Sequence, residues 1–225
     1  MRRIVLYMLI AGAVFAQEKS QKQFSQKENS LAASGGMGVA VINIQDLTEY
    51  INLRAAANER INDWNTGVEF FGDCEFPITD EWGAKIEYAY LFKTFTFVAL
   101  SSSTNDLFFA LHSPTFFVQR IISGTGYFLK FGAGIGPRFA GLVQTVSTFG
   151  TSSSYFNSGL GIEGEITGQT AFDENFFGYI SGRAGAEFLG SVGSSGTIRD
   201  ISNLQSRVNL RTYSAGIRFG FIYYF

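Results

Sequence analysis

The chain of 225 residues contains a single cysteine, Cys74, and a single histidine, His112. A disulfide framework needs paired cysteines, and a transition-metal site needs several His or Cys ligands in reach of one another. Neither is available. Charge is also scarce: Asp, Glu, Lys and Arg make up 16% of the residues, with 17 basic against 19 acidic. A nucleic-acid binder would carry a basic excess, and a disordered chain would combine high charge with few aromatics. Long apolar runs are missing as well. The longest lies at the N-terminus and is shorter than the roughly 18 residues of a membrane-spanning helix. What the chain has in quantity is glycine, 26 residues, and aromatic rings: 24 Phe, 10 Tyr and 2 Trp. That composition points to an all-β protein with one folded domain.

The N-terminal run has its own explanation. Met1-Arg2-Arg3 is basic, Ile4 to Phe15 is apolar, and Ala16 offers a small residue at a cleavage point. Residues 1–16 therefore read as a secretory signal peptide cut after Ala16. Residue 17 is Gln, so the cysteine that a lipoprotein would carry there is missing. Residues 17–33 form a polar leader rich in Gln, Lys and Ser, expected to be flexible. The folded domain is expected over 34–225.

Within that domain the dominant pattern has a period of two, the signature of strands with unlike faces. At the C-terminus, Tyr213, Ala215, Ile217, Phe219, Phe221, Tyr223 and Phe225 alternate with Thr212, Ser214, Gly216, Arg218, Gly220, Ile222 and Tyr224. Five more segments, starting near residues 68, 82, 127, 156 and 176, repeat the pattern, and every charge in them falls opposite the apolar parity. Two weaker strands, 35–44 and 107–122, bring the expected count to eight; Pro114 is expected to interrupt the ladder of the latter. Tight turns are expected near 77–81, 123–126 and 173–175. Longer connections are expected at 45–66, 93–106, 140–155 and 190–210. Short turns alternating with long loops are the habit of a transmembrane β-barrel.

In such a barrel the apolar parity faces lipid. Aromatic residues stand at both ends of that parity: Phe76, Trp82, Tyr127, Phe176 and Phe225 at the turn side, and Phe70, Phe92, Phe139, Phe156, Phe188 and Tyr213 at the loop side. Two rings of aromatics match two membrane interfaces. The opposite parity then encloses Glu69, Asp73, Glu75, Lys85, Glu87, Lys130, Arg138, Glu163, Glu165, Arg183, Glu187 and Arg218, which is 7 acidic against 5 basic. An eight-stranded barrel is just wide enough for side chains to fill it, so these ions are expected to pair into a polar plug.

The signal peptide, the alternating strands and the terminal Phe219-Gly-Phe-Ile-Tyr-Tyr-Phe225 resemble small bacterial outer-membrane barrels of the OmpA/OmpX type. The resemblance implies an eight-stranded antiparallel transmembrane β-barrel in the outer membrane, with a closed or narrowly gated, porin-like interior. It also implies that Phe219, Phe221, Tyr223 and Phe225 act as the assembly signal read by the barrel-insertion machinery. The C-terminal peptidoglycan-binding domain of the OmpA type is not expected here.

Chemistry is sparse. His112 precedes Ser113, but adjacent strand residues point to opposite faces, so the imidazole is not placed to activate that hydroxyl. Glu163 and Glu165 share a face, and ion pairing accounts for them more simply than glycosidase chemistry. No catalytic residue, cofactor or metal is expected. Asp46 and Glu49 have capping-box spacing, and Leu47, Tyr50, Ile51, Ala55, Ile61 and Trp64 recur with helical period. A helix of about sixteen residues is expected in the first long loop, over the barrel mouth. The expected partners are outer-membrane lipid and lipopolysaccharide, the insertion machinery, and an extracellular partner met through the loops. No nucleic acid is expected, and the protein is expected to be a monomer. The function expected is a structural or surface-interaction role in the envelope. A narrow channel is the alternative, and a lipid-modifying enzyme based on His112 a more distant one.

Overall fold

The computed structural model describes residues 30–100, 103–124, 127–147, 150–190, 197–199 and 205–225. The expected signal peptide and most of the expected leader lie outside these residues. Eight antiparallel strands form a closed ring: β1 (Ala32–Asn43), β2 (Trp64–Thr79), β3 (Trp82–Val98), β4 (Thr104–Gly124), β5 (Tyr127–Val146), β6 (Thr151–Ala171), β7 (Phe176–Leu189) and β10 (Thr212–Tyr224). Closure is made by β1, which pairs with β2 on one side and β10 on the other, Ala32 opposite Tyr224 and Asn43 opposite Tyr213. Because every barrel strand has two neighbours, the ring as a whole has no open side. Strand β1 starts two residues before the expected domain boundary, with Ala32 fully buried inside. Two short strands, β8 (Thr197–Arg199) and β9 (Gln205–Arg207), pair with each other in the β7–β10 connection. No helix among the described residues is long and apolar enough to cross a membrane.

Two of the expected long loops are strand. Residues 93–98 pair with 104–109, and 140–146 with 151–157, in hairpins closed by short connections. Gly150 takes the left-handed φ of +61° that the second of these turns requires. The reason these segments read as loops is a reversal of polarity along one strand. On β3 the outward residues Trp82, Ile86, Tyr88, Tyr90 and Phe92 give way to Thr94 and Thr96, while the inward set changes from Lys85 and Glu87 to Phe95 and Phe97, both buried. The alternation continues, but its apolar half changes sides. Strand β4, with 21 residues, is about twice the 9–11 residues that cross a bilayer. Its loop-end half belongs to a second, inward-facing apolar core.

That core is closed by the first loop. Helix α1 (Gln45–Arg54) buries Leu47, Tyr50 and Ile51 against Ile42, Leu91, Phe95, Phe97, Leu107, Phe109, Leu142, Leu189 and Leu210. The helix is 10 residues long rather than about sixteen, and Asp46 does not cap it. Asp46 instead accepts hydrogen bonds from the Asn209 backbone N–H (3.1 Å) and Nδ2 (2.8 Å), tying the helix to the last loop. The helix stops at Ala55 because the chain there turns extended and bridges Ala99, with Ala56 N–H donating to Val98 O at 2.9 Å. Ile61 packs against the same core but through backbone held by Asn52, and Trp64 opens β2 on the outer surface.

Pro114 interrupts only one of its two ladders. Pairing of β4 with β3 runs through it, whereas pairing with β5 skips from His112–Phe139 to Phe116–Ile135. Pro137 lies in the matching gap of β5, and the Arg138 guanidinium Nη1 donates to Pro114 O (3.2 Å) and Pro137 O (3.0 Å) in place of ladder bonds. Replacing Ile51, which is fully buried, by alanine removes core volume that the ring cannot readily close. We expect Ile51→Ala to cost about 2–4 kcal/mol in urea unfolding of the refolded protein followed by tryptophan fluorescence. A change below about 0.5 kcal/mol, the scale of an ordinary surface substitution, would show that α1 does not pack in the barrel.

Candidate functional site: an enclosed charge network

Between the loop-end core and the turn end, the inward positions of six strands carry ions. The i, i+2 spacing of Lys85 with Glu87 and of Glu163 with Glu165 puts each pair on one face of its strand. The register of β6 with β7 sets Glu165 opposite Arg183. Nine residues form one continuous set of contacts. Lys85 Nζ donates to Glu87 Oε2 (2.8 Å) and Glu165 Oε1 (2.7 Å), and Thr167 Oγ1 donates to the same Glu165 oxygen at 2.8 Å. Arg218 contacts Glu69 through Nε, and its Nη1 donates to Glu87 Oε1 (2.8 Å) and Glu165 Oε2 (3.2 Å). Arg183 links Glu69 Oε2, at 2.8 Å, to Glu163. Arg138 ends the series, with Nη2 on Glu163 Oε1 at 2.8 Å and Nε on Glu187.

A second group sits nearer the turns. Lys130 Nζ contacts Glu75 and donates to Tyr224 Oη at 3.1 Å, and Tyr224 donates onward to Gln169 Oε1 at 2.6 Å. Glu75 stands opposite Lys85 in the β2–β3 register, yet it takes Lys130, because Lys85 is occupied by two other carboxylates. Asp73 is the exception among the twelve residues. Its Oδ2 accepts a hydrogen bond from the Ser34 hydroxyl at 2.6 Å, and it makes no ion pair within 4.0 Å among the described residues. Glycine makes the packing possible: a Cβ at Gly161 would overlap the Glu187 carboxylate and the Arg138 guanidinium.

The interior is not polar throughout. Toward the turns a second apolar cluster fills it, with Ala32, Phe71, Ala89, Phe128, Phe177, Tyr179, Ile222 and Tyr224. The expected polar plug of paired ions is thus packed between apolar clusters, with the Lys130–Glu75 pair on its turn side. Lys85 Nζ lies 4.4 Å from the centre of the Phe117 ring and Arg218 4.8 Å from that of Phe71, so the ions also rest on aromatic faces. The aromatic plugs and the polar partners Ser34, Thr167, Gln169 and Tyr224 were missed by reasoning about charge alone. Their signal was present: Thr167 and Gln169 continue the inward parity of Glu163 and Glu165.

The outward face is the reverse. Met37, Ile86, Ile135, Ile162, Ile180 and Ile217 are all about half exposed, in a band bordered by aromatic pairs such as Phe139–Phe156 on the loop side and Phe176–Phe221 on the turn side. Phe219, Phe221, Tyr223 and Phe225 all belong to this face, exposed by 45–69%. A continuous apolar belt of this size on a sealed ring, with ions enclosed, is stable only against hydrocarbon. This is the fold of an outer-membrane β-barrel. A solved structure shows the same fold. Over 88% of this chain and 97% of the other, the fold matches the outer membrane protein OprG of Pseudomonas aeruginosa, with a TM-score of 0.51 at 15% identity. Weaker matches include the attachment invasion locus protein Ail of Yersinia pestis (TM-score 0.49, 14% identity, 88% and 99% covered). The outer membrane protease OmpT of Escherichia coli gives TM-score 0.49, 8% identity, and 93% and 100% covered. No protein-family model and no curated protein matches the sequence.

In this barrel His112 faces outward, its Nδ1 2.5 Å from Tyr88 Oη and its ring 4.8 Å from that of Tyr90, while Ser113 is buried on the inward face. Cys74 is also outward and exposed. Among the described residues no three His, Cys, Asp or Glu side chains converge to hold a metal. The chemistry within the barrel is ion pairing, and its removal should register as lost stability. Arg218→Leu leaves Glu69, Glu87 and Glu165 short of a cation, and we expect a loss of about 3–5 kcal/mol in urea unfolding. Arg120→Ala, which breaks an exposed pair with Glu81, should change stability by less than about 1 kcal/mol. Equal effects from the two would contradict the enclosed network.

Proposed function

We propose that the chain is an integral protein of the bacterial outer membrane, exported by a cleaved signal peptide, with a closed lumen and a structural or surface-interaction role. The observation that carries this reading is the sequence of layers inside the ring: apolar core with α1, paired ions, aromatic cluster. A hydrated ion crossing this interior would have to displace buried rings twice and separate ion pairs once, each step against the packing of the fold. The outward placement of His112, away from Ser113, supports a non-enzymatic role. Contact with the outside world falls to the segments beyond the apolar band, the strand ends 93–98, 104–109, 140–146 and 151–157 with helix α1.

Two experiments test this reading. Purified protein in planar bilayers is expected to give no stable unitary conductance; discrete long-lived openings would overturn the closed lumen in favour of a narrow channel. The second concerns Phe219, Phe221, Tyr223 and Phe225 as an assembly signal. Phe225 closes the strand ladder through its N–H to Leu31 O, at 2.9 Å, with its ring against Tyr223. Phe225→Ala is expected to lower insertion into vesicles that contain the insertion machinery several-fold, and to leave unassisted folding in detergent unchanged. Equal insertion of both proteins would remove the signal role.

A further inference from the structure

A polar cavity opens on the outer wall at the loop end of β1 and β10. It measures about 290 Å³ and is lined by Asn43, Gln45, Asp46, Asn209, Arg211 and Tyr213. Arg211 rests on the rings of Phe188 and Tyr213, 5.4 and 5.3 Å from their centres. It makes no ion pair within 4.0 Å among the described residues. Asp46 gives Oδ2 to Asn209, while its Oδ1 accepts no hydrogen bond among the described residues. Two opposite charges therefore line one cavity without meeting.

Directly inside the band, the same strands carry an apolar groove. Asn43 pairs with Tyr213, and Tyr213 with Ala186 on β7. Two residues further into the band, the outward row is Val41, Ala215, Ala184 and Gly164, set in register by β1, β10, β7 and β6. These small side chains, with Gly182 in the next row, line a groove of about 990 Å³ rimmed by Phe131 and Phe219. The space is open: a Cβ on Gly182 would meet nothing within 4 Å.

We propose that cavity and groove together hold one anionic glycolipid of the outer leaflet, its head sugar in the cavity and an acyl chain in the groove. A guanidinium without an ion partner takes a phosphate or carboxylate in a forked pair. Side-chain amides and a carboxylate match sugar hydroxyls, which both donate and accept. A cavity of this size, near the lower end of small-molecule sites, holds one sugar ring rather than a chain of them. The lipid follows from continuity, because Val41 and Ala215 of the groove stand two residues from Asn43 and Tyr213 of the cavity. A soluble sugar would leave the groove empty, and the groove lies in the face already turned to hydrocarbon. The inference rests on the proposed outer-membrane placement, with the loop end outside.

The test refolds the full chain into detergent micelles and adds one lipid at a time: diphosphorylated lipid A, phosphatidylglycerol or phosphatidylethanolamine. Native mass spectrometry counts the lipids retained. We expect one lipid A per barrel, at a concentration about tenfold below that needed for either phospholipid. Arg211 and Ala215 are both exposed, so their substitution leaves the fold intact. Arg211→Ala, which removes a charge-assisted contact, and Ala215→Phe, which fills the groove, are each expected to weaken retention about tenfold or more. Equal retention of all three lipids would overturn the sugar site, and retention that survives both substitutions would overturn its location. Glucosamine 1-phosphate, a soluble head without acyl chains, is expected to compete only at far higher concentration; competition at equal concentration would overturn the role of the groove. Binding in micelles is independent of conductance, so failure here leaves the closed lumen standing, and a conducting lumen leaves this site standing.

Discussion

An ion inside an eight-stranded barrel has no solvent to turn to, so every strand that carries one must deliver it opposite another. That requirement organises the molecule. Lys85, Arg138, Arg183 and Arg218 come from four strands, and each reaches carboxylates on at least one other strand. The network therefore ties together strands that are not neighbours in the ring, which backbone ladders cannot do. Register follows from it as well: a slip of any one of these strands by one residue would turn its own charges toward lipid and its aromatic residues inward. The outward belt needs only to be apolar, whereas the inward ions take specific partners, with Asp73 held by the Ser34 hydroxyl instead of a cation.

Along the strands the solvent changes, and the side chains follow. In the belt the barrel is inverted, with Ile and Phe outside and ions within. Beyond Phe92 and Phe139 it becomes an ordinary water-soluble barrel, with Thr94, Thr96 and Thr145 outside and Phe95, Phe97 and Leu142 within. Helix α1 belongs to this second regime. It closes the mouth with Leu47, Tyr50 and Ile51, as a helix covers the apolar end of a soluble sheet, and Asp46 fastens it to Asn209.

Much of this was legible in the sequence because period two is a strict geometric consequence of the strand. Six of the barrel strands, most of the outward belt and the inward parity of all twelve ions could be read from alternation, whereas β1 and β4 alternate more weakly. What escaped was anything that depended on where the membrane ends. At 93–98 and 140–146 the alternation persists but its apolar half moves inside, and a search for one constant apolar face mistakes the reversal for a loop. The capping-box spacing of Asp46 and Glu49 was real but unused, because a tertiary partner, Asn209, claimed the carboxylate. The aromatic cluster of Phe71, Phe128, Phe177 and Tyr224 was hidden among rings that the sequence also places on the outer face. The identity of each ion's partner depends on strand tilt and register across the ring, which no single strand contains.

The central claim is that the apolar parity faces hydrocarbon while the ions are enclosed. Cys74, the chain's single cysteine, lies on that parity of β2, beside Ile86 on β3. A nitroxide attached to it in the protein reconstituted in bilayers reports its surroundings by electron paramagnetic resonance. The account predicts strong relaxation by lipid-dissolved oxygen and little by a water-soluble nickel chelate. Relaxation dominated by the nickel chelate, or a label shielded from both reagents, would contradict it.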